Sequence, residues 1–284
     1  MEYYLAWPAK LSVCVGFKAA YSEWRGLVHA LAHPSVSLRG DVVVDARGRP
    51  FRQHMEYSGG FEPRLKKRVG SGGFMGDHLH NGWVEFYAST PEWHHVLAVR
   101  DPLERLYSGY LDKCVANRPG TSEHRKNCLM RGSLRCTDPS ATPEFAEFVH
   151  GLRSLWALPK AHPHSLRHPK SNGHFCLQSS ACGGFRNHSA VLRWQSHGVN
   201  GSRSLQKQGR ALCTLLRRPV AICEYFFAKA RAGSATSRHR TSAAVWNLRR
   251  SYFFNDSNVL REAMEIYGDD YVALGIPRPD WLGS

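Results

Sequence analysis

The sequence has no long apolar run, since no stretch of about 18 apolar residues occurs in its 284 residues. Its first residues also lack a basic segment followed by an apolar segment, so we predict neither a membrane-spanning helix nor a signal peptide. The chain is therefore expected to be soluble. Any membrane association would have to come from a segment that this sequence does not contain.

Acidic residues are scarce: Asp and Glu number 23 against 38 Lys and Arg, which gives a formal net charge of +15. Such a charge creates a positive field that attracts polyanions, among them nucleic acids, anionic lipids, sulfated glycans and nucleotide phosphates. Hydrophobic residues make up 42% of the chain, which is enough for a buried core and excludes wholesale disorder. The composition therefore predicts a folded, basic protein with an anionic ligand.

The eight cysteines are too few for a scaffold held by disulfides alone in a chain of this length. The sequence leaves open whether they are reduced thiols or disulfides. His174 lies close to two of them, but no paired CxxC occurs there, so we predict no metal site. The cysteines that cluster in polar stretches are Cys114, Cys128 and Cys136, and then Cys176 and Cys182.

Strand and helix patterns alternate along the chain. The apolar run at 11–17 predicts a buried parallel strand, and Trp24, Leu27, Val28 and Leu31 then share one face of a helix. A short strand is predicted near 42–44 and a clear one at 94–100. We predict an α/β fold: a single domain over residues 1–284 with a central, mainly parallel sheet flanked by helices.

The helix after the strand at 94–100 has a well-defined start. Asp101 at the N-cap, Pro102 at the first helical position and Glu104 match the preferred pattern of a helix N-terminus. An apolar stripe follows, and it leaves Glu104, Arg105, Ser108 and Asp112 on other faces. The stripe consists of Leu103, Leu106, Tyr107, Tyr110 and Leu111.

The remaining segments are assigned from their composition and periodicity. Residues of about 113–142 form a polar, cysteine-bearing insertion, and about 160–174 form a surface loop rich in His, Pro and Ser. Helices are predicted at 143–158, 203–217 and 220–232. A last helix starts near Asp256 and turns Leu260, Ala263, Met264 and Tyr267 inward.

The first candidate site is the turn that follows the first parallel strand and opens a helix. Free backbone N–H groups and the positive helix end point at one place in such a turn, and a lysine adds a full charge, so phosphate is the expected ligand. No glycine-rich Walker sequence is present. The turn consists of Lys18, Ala19, Ala20, Tyr21, Ser22, Glu23, Trp24 and Arg25, although Trp24 is also a core candidate.

The second candidate site lies at the end of the strand at 94–100. Arg100 ends that strand, where α/β sheets expose functional groups, and Ser108 lies two turns into the next helix. A guanidinium and a hydroxyl can together hold a second phosphate. A salt bridge at the helix start and a surface serine would fit the same two residues.

These segments resemble the Golgi-type carbohydrate sulfotransferases. VRDPLERLYSGY at 99–110 is similar to that family's 3′-phosphate motif, and FKAAYSEWR at 17–25 to its 5′-phosphosulfate loop. His174-Phe-x-x-Gln178, followed by Cys182, resembles a further family segment. The stretch from His239 to Tyr271, which ends in Tyr-x-x-Asp-Tyr, resembles its C-terminal signature.

The resemblance implies a P-loop-like sulfotransferase fold and a donor, 3′-phosphoadenosine 5′-phosphosulfate (PAPS), used without a metal. Lys18 and Ser22, with the backbone N–H groups of residues 19–24, would hold the 5′-phosphosulfate. Arg100 and Ser108 would hold the 3′-phosphate. The acceptor would be a carbohydrate hydroxyl, with acidic polysaccharides among the candidate acceptors, and the location would be the Golgi lumen.

Sulfuryl transfer to a hydroxyl also needs a base. His78 and His80 form a His-x-His that resembles the base region of the uronyl 2-O-sulfotransferases, and a His titrates near neutral pH. We favour His80, while His94, His95 and His174 compete for the role.

Several residues depart from the family pattern. Tyr21 stands where a small residue is usual, Phe17 precedes Lys18, and Gln195 replaces a frequent acid. The basic clusters at 65–68 and 248–250 fit solvated faces or an acidic-glycan groove. Two alternatives remain at this point: a basic nucleic-acid-binding protein, although no reader motif occurs, and a P-loop-type kinase, which the missing Walker pattern disfavours.

Overall fold

A computed structural model describes two compact units of the chain, residues 1–100 with 181–238 and residues 101–180 with 239–284. The single domain over residues 1–284 stays a prediction. The described residues are 2–6, 9–15, 24, 27–28, 30–31, 37–39, 42–44, 87–117, 119–128, 141–160, 162, 165–166, 174–180, 184–194, 198–232, 251, 253 and 256–278.

The first unit contains a four-stranded sheet in the order β1-β2-β5-β6. Strands β2, β5 and β6 are parallel, whereas β1 pairs antiparallel with β2. A separate two-stranded sheet is formed by β3 and β4. This mixture of a parallel sheet and helices confirms the predicted α/β class. The strands are β1 (Glu2–Ala6), β2 (Leu11–Val15), β3 (Ser37–Arg39), β4 (Val42–Val44), β5 (His94–Arg100) and β6 (Ala190–Trp194).

The two central strands carry the apolar runs seen in the sequence. All five residues of β2 are buried, and so are six of the seven residues of β5, as expected for parallel strands covered on both faces. The predicted helical face with Trp24 and Leu27 packs into the same apolar cluster as Val13 and Val96. Trp24 is therefore a core residue, as its position in the apolar stripe suggested.

Two further helices lie in the described part of the first unit, α4 (Gly198–Leu215) and α5 (Val220–Ala232). Helix α4 begins five residues before the predicted start, and the buried disulfide Cys213–Cys223 joins the two helices. Gln208 of α4 covers the outer backbone of β6. The side-chain oxygen of Gln208 accepts from Arg193 N at 2.7 Å, and its amide nitrogen donates to Arg193 O at 3.1 Å.

The second unit is helical in the part that the structure describes. A π-helical segment, Leu111–Val115, directly continues helix α1 (Pro102–Tyr110). The disulfide Cys114–Cys128 ties this segment to the end of helix α2 (Ser122–Asn127). The described part of the polar insertion is thus largely helical. The helices are α1 (Pro102–Tyr110), α2 (Ser122–Asn127), α3 (Phe145–Ala157) and α6 (Ser257–Leu274).

Aromatic rings form the core of the second unit. Phe148 of α3 lies between Tyr110 and Phe175, with ring centroids 5.3 Å and 5.0 Å away. Phe145 meets Phe253 edge-on at 5.2 Å. Such tilted and edge-to-face contacts are the favourable geometries for aromatic pairs. The apolar stripe predicted for α1 therefore packs against α3.

Two sequence-based expectations need correction. The segment predicted as a surface loop at 160–174 has buried residues, because Leu166 N donates to Leu155 O at 3.3 Å and the Ser165 hydroxyl donates to Leu158 O at 3.2 Å. Ser165 and Leu166 therefore lie against the end of α3. In α6, the side chains of Leu260 and Met264 are half-buried and do not belong to the fully buried face of the helix. The buried face of α6 consists of Val259, Glu262, Ala263, Ile266, Tyr267, Asp270, Tyr271 and Leu274.

Among the described helices, none combines the length and the apolar character that crossing a bilayer requires.

The packing of α1 yields a test with a matched control. A Cβ at Gly109 would lie 2.8 Å from the fully buried ring of Phe175, whereas a Cβ at Gly268 in α6 would meet Met264 at 3.9 Å. We expect Gly109→Ala to lower the free energy of unfolding by about 1–3 kcal/mol through overpacking. Gly268→Ala should leave it unchanged or raise it by up to about 1 kcal/mol through helix propensity.

Urea denaturation of both variants measures the difference. Equal stabilities for Gly109→Ala and Gly268→Ala would show that Phe175 does not pack against α1.

Candidate active site

Most residues of the predicted site lie outside the described part of the chain. Of the predicted donor loop the structure describes Trp24, whose side chain is buried at 1% exposure and belongs to the apolar core. Arg100 and Ser108 are described. Those outside are Phe17, Lys18, Ala19, Ala20, Tyr21, Ser22, Glu23, Arg25, His78, His80 and Gln195.

The carboxyl ends of three parallel strands meet at one edge of the sheet in the first unit. Val15 ends β2 and pairs with Ala98, and Arg100 ends β5 and pairs with Trp194 at the end of β6. Ligands of open α/β sheets bind outside this edge. Arg100 is 7% exposed, so the sheet carries a largely buried guanidinium to the edge where an anion would bind.

The start of helix α1 has the cap that the sequence predicted. The Asp101 carboxylate accepts from Glu104 N at 2.8 Å, and Pro102 occupies the first turn. The second carboxylate oxygen of Asp101 accepts from the Tyr271 hydroxyl at 2.9 Å, and both residues are buried. Burial and the adjacent Asp101 carboxylate raise the pKa of Tyr271, which keeps its proton as a donor. Helix α1 is thus capped by the protein's own carboxylate.

This cap limits how α1 could bind a phosphate. The first-turn N–H groups of Glu104 and Arg105 already donate to the side chain and the carbonyl of Asp101. A phosphate near α1 would therefore be bound by side chains, such as that of Ser108, which is half-buried. The turn after β2 is different, because there the sequence predicts binding by backbone N–H groups.

Arg105 of α1, like Glu104, differs from the sequence-based expectation. Its position off the apolar stripe suggested a polar face, but Arg105 is fully buried. Its guanidinium donates to His174 O at 3.2 Å and to Cys176 O, and it lies 5.9 Å from the centre of the Tyr267 ring. A buried cation is tolerated where such oxygens and an aromatic face replace its water.

Helix α6 holds the same segment, residues 174–180, from its own side chains. The Tyr267 hydroxyl donates to Phe175 O at 2.6 Å. The Asp270 carboxylate accepts from Gln178 N and from Ser179 N, each at 2.8 Å. We call Arg105, Tyr267 and Asp270 the backbone clamp, since all three bind main-chain groups of 174–180. The clamp joins three segments that resemble sulfotransferase motifs.

The spacing of residues in the last helix indicates part of this arrangement. Tyr267, Asp270 and Tyr271 are spaced three and four residues apart, which places them on one face of a helix. A carboxylate between two aromatic residues on that face is typical of a buried, paired acid rather than of a solvated one. Burial raises the pKa of Tyr267 as well, with Arg105 opposing the shift.

The histidines that compete with His80 for the base role differ in position. His94 and His95 begin β5, so about 16 Å of strand separates His95 from the sheet edge at Arg100. His95 is buried between the Ser12 hydroxyl at 2.6 Å and Thr90 O at 3.0 Å, and burial lowers its pKa. This geometry makes His95 a structural residue of the sheet's opposite end.

The thiol of Cys176 lies next to the clamp, in the segment that Arg105 binds. Burial raises its pKa, with the Arg105 charge opposing the shift, so the thiol stays protonated at neutral pH.

Within the ranges that the structure describes, no cluster of three or more His, Cys, Asp or Glu side chains could hold a metal ion.

Comparison with known proteins identifies one family. A family profile described as "Sulfotransferase family" matches residues 63–275, about three quarters of the chain. The matched range includes His78, His80, Arg100, Ser108 and the clamp, whereas Lys18 precedes it. No curated protein and no solved structure gives a significant match.

The clamp can be tested through Arg105. Arg105→Met keeps an unbranched apolar side chain but removes the guanidinium that donates to the carbonyls of His174 and Cys176. We expect the free energy of unfolding to fall by about 2–4 kcal/mol. Arg261→Met, at an exposed arginine of α6, should change it by less than about 0.5 kcal/mol. Chemical denaturation measures both. A loss no larger than that of the Arg261 variant would contradict the assigned role.

Proposed function

Because the chain belongs to the sulfotransferase family, we propose that it transfers a sulfuryl group from PAPS to a hydroxyl of a carbohydrate. The observation that carries this proposal is the parallel pairing of β2 with β5. Lys18 follows the first of these strands in the sequence and Arg100 ends the second, so we expect both candidate anion sites at the same edge of one sheet.

Chain geometry keeps the two sites near each other. Lys18 is three residues beyond Val15, a reach of at most about 11 Å, and Val15 pairs directly with Ala98 of the neighbouring strand. PAPS carries its 3′-phosphate and its 5′-phosphosulfate on one ribose. A donor with two anionic groups on one sugar suits two cationic sites that follow adjacent strands.

The donor set fits the chemistry of PAPS. Lys18, Ser22 and the N–H groups of the turn would bind the phosphosulfate and stabilise the negative charge that develops on the bridging oxygen. Arg100 and Ser108 would bind the 3′-phosphate, which an ordinary nucleotide lacks. Because α1 is capped by Asp101, the 3′-phosphate subsite would rely on these side chains.

The proposed reaction is an in-line displacement at sulfur. The acceptor hydroxyl oxygen forms a bond to sulfur while the bond from sulfur to the 5′-phosphate oxygen breaks, which leaves a sulfate ester and 3′-phosphoadenosine 5′-phosphate (PAP). His80 would take the hydroxyl proton, with His78 beside it. Positioning and charge stabilisation supply most of the catalysis in transfers of this type.

An acidic carbohydrate and a lumenal location are supported by two further observations. The net charge of +15 favours a polyanionic acceptor. The disulfides Cys114–Cys128 and Cys213–Cys223 are typical of proteins that mature in an oxidising compartment. We therefore propose the Golgi lumen as the place of action. The family assignment favours this transferase over the kinase and the nucleic-acid-binding protein.

Donor binding is tested with PAP and isothermal titration calorimetry. We expect the wild type to bind PAP, and Arg100→Ala and Ser108→Ala to raise Kd by about 10–100-fold and about 3–10-fold, since hydrogen bonds to charged groups are the stronger ones. The control Arg153→Ala removes an exposed arginine of α3 and should leave Kd unchanged. Failure of the wild type to bind PAP would reject the proposed donor.

The base is tested by transfer of labelled sulfate from PAPS to a panel of glycans. We expect His80→Ala to lower kcat by about 100-fold or more while PAP binding is retained, since a positioned base contributes about 10²–10⁴-fold. His95→Gln, at the other end of the sheet, should retain kcat in folded protein. Near-normal turnover of both His80→Ala and His78→Ala would remove these residues from the mechanism.

A further inference from the structure

The solvent side of α4 and of the turn that follows it carries positive charge that the proposed donor site does not use. From residue 198 to 232 the sequence contains seven Lys or Arg and one acidic residue, Glu224. Lys207, Arg210 and Arg217 are exposed, and we call these three residues the α4 basic strip. We propose that the α4 basic strip binds an anionic stretch of the acceptor polysaccharide, an inference that rests on the proposed function.

The helix places the cations of the strip in a line. Lys207 and Arg210 are one turn apart, and the exposed Thr214 follows one turn later. Arg217 comes directly after the helix end, where its N–H donates to Thr214 O at 3.0 Å. The helix from Lys207 to its last residue, Leu215, is about 12 Å long. A linear polyanion with charges along its length can therefore meet the three cations in turn.

The charges at the two ends of the strip are available to a ligand. Neither Lys207 nor Arg217 forms an ion pair within the part of the chain that the structure describes. Arg210 pairs with Glu224 of α5, and both of these side chains stay partly exposed. Since exposed ion pairs contribute little stability, a polyanion can compete for Arg210 as well.

Arg217 has a backbone conformation that glycine usually adopts. Its φ is 52°, in the left-handed region, and glycine is the preferred residue for this conformation at a helix end. A residue other than glycine there costs backbone stability, and such an outlier points to a function for the side chain. A cation also interacts favourably with the helix C-terminus. Stability and ligand binding therefore have to be measured separately at this position.

The strip begins close to the edge of the sheet at which we expect the donor. Gln208, the neighbour of Lys207, is bonded through its side chain to the N–H and the carbonyl of Arg193. Arg193 pairs with Val99, which directly precedes Arg100. Neighbouring strands are about 4.8 Å apart. A polysaccharide bound to the strip would therefore pass near the carboxyl end of β5.

The chemistry of this surface favours a glycan over a nucleic acid. Among the described side chains of α4, the exposed ones are Lys207, Arg210, Ala211, Thr214 and Leu215. None of these is aromatic, whereas surfaces that bind single-stranded nucleic acids stack the bases on aromatic side chains. Carboxylate and sulfate groups need only cations and hydroxyls as partners.

Binding of fluorescently labelled chondroitin sulfate, measured by anisotropy, tests the strip without requiring turnover. We expect the double variant Lys207→Ala/Arg217→Gly to raise Kd by about 3–10-fold, since two exposed ionic contacts are lost. Its binding should also depend less on salt concentration. Kd for PAP should not change. Arg217→Gly alone should melt at the same or a higher temperature, because glycine adopts the left-handed conformation without strain.

Lys10→Gly is the matched control. Lys10 is also an exposed cation with a positive φ, 47°, but it pairs with Glu92 and precedes β2 at the amino end of the strand. We expect Lys10→Gly to leave Kd for chondroitin sulfate unchanged. An equal loss in Lys10→Gly and in Arg217→Gly would show that net charge alone governs binding, and it would overturn the assignment to the strip.

The remaining outcomes separate the strip from the donor site. Wild type that binds PAP, with a double variant that keeps the wild-type Kd for chondroitin sulfate, leaves the donor in place and rejects the strip. Wild type that does not bind PAP rejects the donor and, with it, the description of the polysaccharide as an acceptor. Tighter binding of single-stranded DNA of matched charge, weakened by the same double variant, would assign the strip to nucleic acid and overturn the proposal.

Discussion

The parallel pairing of β2 with β5 is the constraint on which the proposed site depends. Antiparallel strands would place the residues after β2 and those after β5 at opposite edges of the sheet. In the observed register Val15 pairs with Ala98, so the carboxyl ends of β2 and β5 lie at the same edge of the sheet. Because β2 is completely buried and β5 nearly so, a shift of this register would disrupt close packing on both faces of the sheet.

Buried charge organises the second unit in a different way. Arg105 and Asp270 are both fully buried, and both bind main-chain groups of residues 174–180. Hydrogen bonds that involve charged groups are shorter and stronger than neutral ones, and they offset part of the cost of removing each ion from water. This use of charge fixes an irregular segment that has no ladder of its own. These contacts hold the described helices around the segment in one arrangement.

Local patterns in the sequence predicted the elements well but not their charged contacts. Strand β5 has the predicted bounds at 94–100, and Asp101 caps α1 as its spacing with Pro102 and Glu104 indicated. The burial of Arg105 could not be inferred, because its partner carbonyl is 69 residues away and periodicity treats a charge as exposed. The burial of Leu166 was not predicted for a related reason. Its contact with the end of α3 depends on the chain turning back, which local periodicity does not encode. Lys18, His78 and His80 stay predictions.

The amide of Gln208 has a consequence for how the protein behaves in solution. Strand β6 is the last strand of the sheet in the part of the chain that the structure describes, and an edge strand is a template on which another chain can add. Gln208 accepts from Arg193 N and donates to Arg193 O, which are the two bonds that an added strand would need at that residue. One side chain thus imitates a neighbouring strand at Arg193, and it occupies the main-chain groups through which another chain could pair at that residue.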